Sequence, residues 1–303
     1  LFIDPAGEGP LTALYAELTG ERSDFDELAR EAKVTEARTT FQPEVERLRA
    51  LVDEPGIEEA VAALPVYRTY VDPAEGRVAP QDVALAAVKN HRNGALNPHA
   101  HRQQVRTLEE ILGGRPVSGT LTALQCCPVG EGAAAVIVVS EDAIKRLGID
   151  PAHAVRVTAS AASSERAGAV GAADASITKD TIAEALAQDQ VGPKQVDVME
   201  LHDAFTIEEL QYVEAMGICK PGEAIHLLKE GAFDIGGQCA VSPSGGLIAM
   251  GHPIGPTGVG QIGELALQLR GDAGPRQHKG AKVGLAHMVG LGAVCYVHVL
   301  QRP

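Results

Sequence analysis

The chain has no tryptophan, and aromatic residues make up only 3% of its 303 positions. A core so poor in rings must be built from Ala, Val, Leu and Ile, which suits closely spaced helix and sheet layers. No apolar run approaches the roughly 20 residues of a membrane-spanning helix, and no secretory leader pattern opens the sequence, so no membrane attachment is expected. Basic residues are scarce, 26 against 40 acidic, which leaves a formal charge of −14. That balance argues against nucleic acid or an anionic membrane as the main partner. Cysteine is sparse and odd in number, five in all, with no CxxC pair. This excludes a regular disulfide framework or a zinc ribbon within the chain, and points to a reducing compartment, the cytoplasm. The first residue is Leu1 rather than Met, so the expectation is that the true start is missing.

What is present falls into unlike parts. Residues 1–78 carry 17 acidic and 8 basic side chains, a charge of −9. Their patterns are helical: 10–18, a segment opened by Ser23, 43–52 and 57–64, closed by Pro65, with 66–71 as a short strand. A helix is expected over 81–91, broken by Gly94 and Pro98. His91, His99 and His101 lie close in sequence, but no cysteine or carboxylate joins them at ligand spacing, so they read as solvated loop histidines rather than a metal site. The β-branched run ending at Val139 reads as a buried strand. Ser140 then caps a helix that ends at Gly148. Further on, 154–162 is a strand, 178–188 a helix, and 195–201 a strand ending on His202-Asp203-Ala204-Phe205. A histidine at the carboxyl end of a strand and before a helix lies where α/β sheets hold ligands. Asp203 is expected to satisfy the N–H groups of that helix. Residues 282–300 read as strand, glycine turn and strand, with the turn at 288–292.

The densest signal is Ser242 to Gly258, five glycines and three prolines in seventeen residues. That composition argues against a regular helix or central strand there. It feeds an amphipathic helix over 259–270, and a glycine loop entering a helix N-terminus is a ready anion site. Within it sits one titratable group, His252. Read alone, it is a solvent-facing turn histidine; the glycine context makes it a site candidate.

SPSGGLIAMGHPIGPTG resembles the NPSGG…GHPxGxTG signature of the thiolase family, the sterol-carrier and archaeal types in particular. HDAF at 202–205 resembles that family's HDCF/HDAF motif. QCCPVGEGAAAV at 125–136 resembles its turn into a strand of the N-terminal half, and 79–101 its lid region. The likeness covers residues 79–303. It implies an α/β thiolase-like fold, with part of the N-terminal half at 79–150 and a C-terminal βαβαβαββ layer domain at 151–303, preceded by the helical segment 1–78. It implies an acyl-CoA thioester as substrate and no resident cofactor or metal.

By the same likeness His252 activates a nucleophile, His202 supports the thioester or enolate oxygen, and the Gly290 N–H completes an oxyanion hole. Ser244, Gly245 and Met288 then line the substrate, and Lys89, Arg92 and Arg102 reach the nucleotide phosphates. Two departures matter. The family's nucleophilic cysteine lies in an N-terminal portion that this sequence does not contain. Met288 and Ala204 stand where the family keeps its second cysteine, while Cys126, Cys127 and Cys295 read as buried and inert. The implied activity is thiolase-type acyl transfer; the alternative is an aldolase or lipid-transfer subunit without thiolate chemistry. Relatives form dimers or pair with a zinc-ribbon/OB-fold protein. Residues 1–78 separately resemble a helical portion of maltooligosyltrehalose synthases without that family's catalytic barrel, and Asp4, Glu8 and Glu17 there read as surface carboxylates.

Overall fold

The structure is a computed structural model that describes residues 78–164, 174–290 and 294–302. The helices and strand expected within 1–77, and the resemblance carried there, lie outside the described residues. The described residues belong to one compact unit.

Helix α1 (Pro80–Gly94) is the hub of that unit. Pro80 stands at its first turn, where its missing N–H costs nothing, and Asp82 complements the helix dipole. Its fully buried Ala84, Ala86 and Ala87 let neighbours approach closely. A short helix α2 (Leu108–Leu112), capped reciprocally by Thr107 and Glu110, precedes a small hairpin of β1 (Pro116–Ser118) and β2 (Leu121–Thr122). Helix α3 (Glu141–Leu147) has the expected ends. The Ser140 hydroxyl accepts from the Ala143 N–H at 3.2 Å, and Gly148 closes the helix at φ 65°.

The main sheet contains β3 (Arg156–Ser164), β4 (Val198–Glu200), β5 (Ala240–Val241), β6 (Val283–Gly290) and β7 (Val294–Gln301), in the order β3-β7-β6-β4-β5. β6 and β7 form an antiparallel hairpin and β3 runs antiparallel to β7, while β4 is parallel to both β5 and β6. Side chains alternate between two cores, as a pleated strand requires. Met199, Leu285 and Val299 face a core shared with α4 (Asp174–Asp189) and α5 (Thr206–Ala215). Val198, Ala286 and Leu300 face Leu265 and Leu269 of α8 (Thr257–Arg270). With α6 (Ala224–Lys229) and α7 (Gly246–Ala249) the element order follows the expected alternation, two of its helical layers being split in two.

Three expectations are corrected. Residues 133–139 form no strand; Ile137 is 91% and Val138 85% exposed. A strand needs a ladder, and among the described residues none pairs with this run. The glycine-rich loop does contain regular structure, the one-turn helix α7, because its glycines stand at the helix start, Gly245 as the N-cap and Gly246 as the first residue, and leave Leu247–Ala249 to complete the turn. Met288 and Gly290 lie within β6 rather than in a turn.

Candidate functional site

The carboxyl ends of β4 and β6 meet at one edge of the sheet. β4 pairs with β6 through Glu200 and Ala286. Two residues beyond Glu200 comes His202, and beyond Ala286 come His287, Met288 and Gly290. Buried His202, only 4% exposed, meets half-buried His252 edge to face, with ring centroids 5.3 Å apart and planes at 83°. The two histidines therefore converge. Gly290 shares this edge, and a Cβ on it would lie 2.9 Å from Val294 Cγ2.

The tautomer of His252 follows from its partner. Thr257 Oγ1 donates to the Pro253 carbonyl at 2.6 Å, so it can only accept from His252 Nδ1, 3.0 Å away. The proton sits on Nδ1 and Nε2 keeps its lone pair. Burial, followed by the charge on His202, pulls the His252 pKa down to about 4. His252 is neutral at pH 7, with Nε2 unprotonated. His202 Nδ1 lies 3.4 Å from Glu208 Oε2, and that same oxygen accepts the Phe205 N–H that opens α5.

Asp203 does not cap α5. It reaches across to the glycine-rich loop: its Oδ1 accepts the Leu247 N–H at 2.7 Å, and its Oδ2 accepts from Asn90 Nδ2 at 2.7 Å and Ser242 Oγ at 3.3 Å. Helix N–H groups are satisfied, but those of α7. Ser244 is likewise tied down, its N–H and hydroxyl both donating to buried Glu200 at 2.9 and 2.6 Å. Ser244 is a support of the loop. Gly245 (φ 104°) packs so tightly on α1 that a Cβ would stand 2.8 Å from Gly94 Cα.

The basic candidates fare differently from the histidines. Lys89 is 3% exposed and donates to the Val241 carbonyl and Asn90 Oδ1, with Glu209 Oε1 at 3.2 Å. A lysine enclosed in this way holds the fold and cannot reach a phosphate. Arg92 is partly exposed but paired with Asp234. Arg102 donates to the Ala123, Cys126 and Ile248 carbonyls, tying its own loop to the 123–126 segment and to α7. His91 is buried at 1% exposure, with Nε2 3.1 Å from the Leu124 carbonyl oxygen, whereas His99 and His101 are exposed as expected. Among the described residues no group of three or more His, Cys, Asp or Glu could hold a metal ion. All five cysteines lie among them; Cys295 is fully buried, and burial pushes the Cys126 thiol up to about 11 and those of Cys127, Cys219 and Cys239 up to about 12. No helix among the described residues is long and apolar enough to cross a membrane.

Residues 157–302 match the family model "Thiolase C-terminal domain-like". This part of the chain belongs to the thiolase family. The thiolase-type domain is 40% identical over 215 residues to sterol carrier protein 2 of Rattus norvegicus, covering 69% of this chain and 39% of that protein. It is 38% identical over 218 residues to benzoylsuccinyl-CoA thiolase subunit BbsB of Thauera aromatica, covering 70% and 55%. With acetyl-CoA acetyltransferase of Methanothermobacter thermautotrophicus the figures are 33% over 229 residues, 73% and 58%. The chain thus spans roughly 40 to 60% of the length of these relatives. Among solved structures, an Ltp2-ChsH2(DUF35) aldolase superposes with a TM-score of 0.61 at 22% identity, over 74% of this chain and 59% of that one. Human mitochondrial 3-ketoacyl-CoA thiolase superposes with a TM-score of 0.54 at 19% identity, over 76% and 57%. At those identities the two structures speak for the thiolase-like fold.

No pattern in the sequence points to His287, which is fully buried in β6 and accepts the His202 N–H on Nδ1. A lone histidine in an apolar strand reads as core; only its place three residues before Gly290 could have drawn attention.

The buried groups set opposing pH limits. Burial, then the charge on His202, drives His287 down to about 3, and His252 lies near 4 for the same reasons. The folded state binds fewer protons than the unfolded state there, so stability falls as pH drops from about 6.5 toward those values. Glu200 and Asp203 act oppositely. Burial, then Glu264 for the first and Glu209 for the second, raises both, Asp203 to about 7. Their contribution is whole below the unfolded carboxylate pKa and is lost as pH rises through about 7 for Asp203 and about 8 for Glu200. Thermal unfolding scanned from pH 4 to 9 should give a maximum at about pH 5–7, with Glu200→Gln flattening the alkaline side. A midpoint that keeps rising to pH 9 would contradict the assignment.

Proposed function

We propose that the thiolase-type domain acts on the thioester carbonyl of an acyl-CoA. The observation that carries this reading is the convergence of His202 with a neutral His252 whose Nε2 is a free base. In the acyl-transfer form, Nε2 takes the proton of a nucleophilic thiol. The thiolate attacks the carbonyl carbon, the carbon–sulfur bond to CoA breaks, and CoA leaves with the proton held by His252. His202 and the Gly290 N–H support the charged oxygen. The four thiols raised to about 11–12 are unsuited to that attack. On this reading the nucleophile is neither one of these four thiols nor the fully buried Cys295.

Arg102 and Arg106 flank a cavity of about 430 Å³ with His91, His101 and Leu124. The Arg102 N–H donates to the Ala249 carbonyl, close in sequence to His252. This supports a place for the anionic end of the substrate there, rather than at Lys89. The Thauera relative is named as a subunit, which supports an assembly of unlike chains. A second reading draws on Met288 and Ala204: without a thiolate the same imidazoles suit carbon–carbon cleavage of a 3-hydroxyacyl-CoA, where His252 takes the hydroxyl proton and His202 holds the enolate oxygen.

The test is made on the chain and on its assembly isolated under native conditions. His252→Ala should lower turnover of 3-ketoacyl-CoA by about a thousandfold. Turnover abolished by full iodoacetamide alkylation supports acyl transfer; 3-hydroxyacyl-CoA cleavage that survives alkylation supports the second reading. Failure of acetoacetyl-CoA to bind in titration calorimetry, with or without the assembly, would sink both.

A further inference from the structure

We propose that His287 is the positioning residue that registers His202 against His252. The inference rests on the thioester reading for its meaning but not for its geometry. A backbone N–H can only donate, so the His202 N–H, 3.4 Å from His287 Nδ1, requires a lone pair on that nitrogen. The His287 proton is therefore on Nε2, which donates to Thr178 Oγ1 at 2.9 Å. The tautomer is fixed from both sides. Tyr212 meets the same imidazole edge-on, with centroids 4.7 Å apart, and holds its plane.

The main chain of His287 is tied elsewhere. Its carbonyl accepts from Gln261 Nε2 at 3.1 Å, and Gln261 lies on α8, the helix that opens with Thr257. Thr257 is the partner of His252. One residue therefore grips the backbone of His202 through its ring and the helix that carries the partner of His252 through its carbonyl. It does so on the strand that ends in Gly290. A slip of either imidazole by an ångström would spoil the convergence of the site, and His287 opposes that slip from two directions.

The amide isosteres separate the two ring nitrogens. His287→Asn places an acceptor near Nδ1 and loses the Thr178 link; His287→Gln places a donor near Nε2 and loses the acceptor for His202. Both should lower the unfolding midpoint by similar amounts. Positioning predicts a split in two other readouts. In Gln, and in Thr178→Val, where the proton has no acceptor to hold it on Nε2, the ring proton resonances of His202 and His252 should shift at fixed pH. In Gln, acetoacetyl-CoA should also bind about tenfold more weakly, one hydrogen bond's worth. Asn should keep wild-type resonances and affinity to within about twofold. Equal effects of Asn and Gln, or unshifted resonances in Gln and Thr178→Val, would overturn the proposal. If the thioester does not bind wild type but the resonances still split, the functional reading fails while the positioning role stands. Should His287 variants fail to fold, Thr178→Val alone decides between the two.

Discussion

Replacing Gly246 with alanine should be the most damaging single-methyl change in the domain. Gly246 lies at φ 58°, where an L side chain costs about 1–2 kcal/mol. The steric term is larger. A Cβ there would sit 2.0 Å from Asp203 Oδ2 and within 2.8 Å of the rest of that carboxylate. Neither side can yield cheaply, because Asp203 is completely buried and held by Leu247, Asn90 and Ser242. Moving it would strand those donors, each at a cost of about 1–3 kcal/mol. The expected loss is about 4 kcal/mol or more, a fall in unfolding midpoint of about 10 °C for a domain of this size. The cause can be isolated. In an Asp203→Ala background the carboxylate is gone, so adding Gly246→Ala should cost only the backbone term. Full additivity of the two changes in thermal unfolding would show that the clash is not the reason. The glycine is thus required by the aspartate of the HDAF segment, and the two motifs that share the site are one packing unit.

That dependence explains what could and could not be read from the sequence. Strands β4, β6 and β7 and helices α1, α4 and α8 announce themselves through local pattern. Apolar alternation, the Ser140 cap and the breaks at Gly94 and Gly148 are all written within a few residues of where they act. His202 and His252 could be picked out because a strand end and a glycine loop are places where function collects. The errors share another origin. Lys89 looks like a surface cation until tertiary contacts enclose it, and nothing adjacent to it in sequence signals Glu209, 120 positions on. The destination of Asp203 is hidden in the same way: a carboxylate before a helix suggests a cap, yet Glu208 takes that role and frees Asp203 to hold α7. The run at 133–139 shows the converse. Its β-branched composition is that of a strand, but a ladder requires a partner, which composition cannot specify.

Lys89 offers the sharpest contrast between the two kinds of reading. As a phosphate ligand it would be dispensable to folding, and Lys89→Met would weaken CoA binding while leaving the unfolding midpoint alone. The structure predicts the reverse. The ammonium is 2% and the Glu209 carboxylate 0% exposed, and the lysine also supplies the Val241 carbonyl with its donor at 2.6 Å. Removing one charge from such a pair leaves the other buried without compensation, which costs about 3–5 kcal/mol. Burial already raises the Glu209 pKa, and the lysine is the main influence opposing it. Without the lysine the carboxylate would take up a proton on folding, so the variant should be relatively more stable at low pH. Adding Glu209→Gln removes the stranded charge and keeps an acceptor for Asn90, which donates to Glu209 Oε2 at 3.0 Å. The double variant should therefore regain more than half of the lost stability in urea unfolding, a coupling of about 2 kcal/mol. A destabilisation in Lys89→Met that Glu209→Gln does not relieve would mean that the lysine acts through Val241 and Asn90 rather than through the ion pair. An unchanged midpoint with weaker CoA binding would return Lys89 to the substrate.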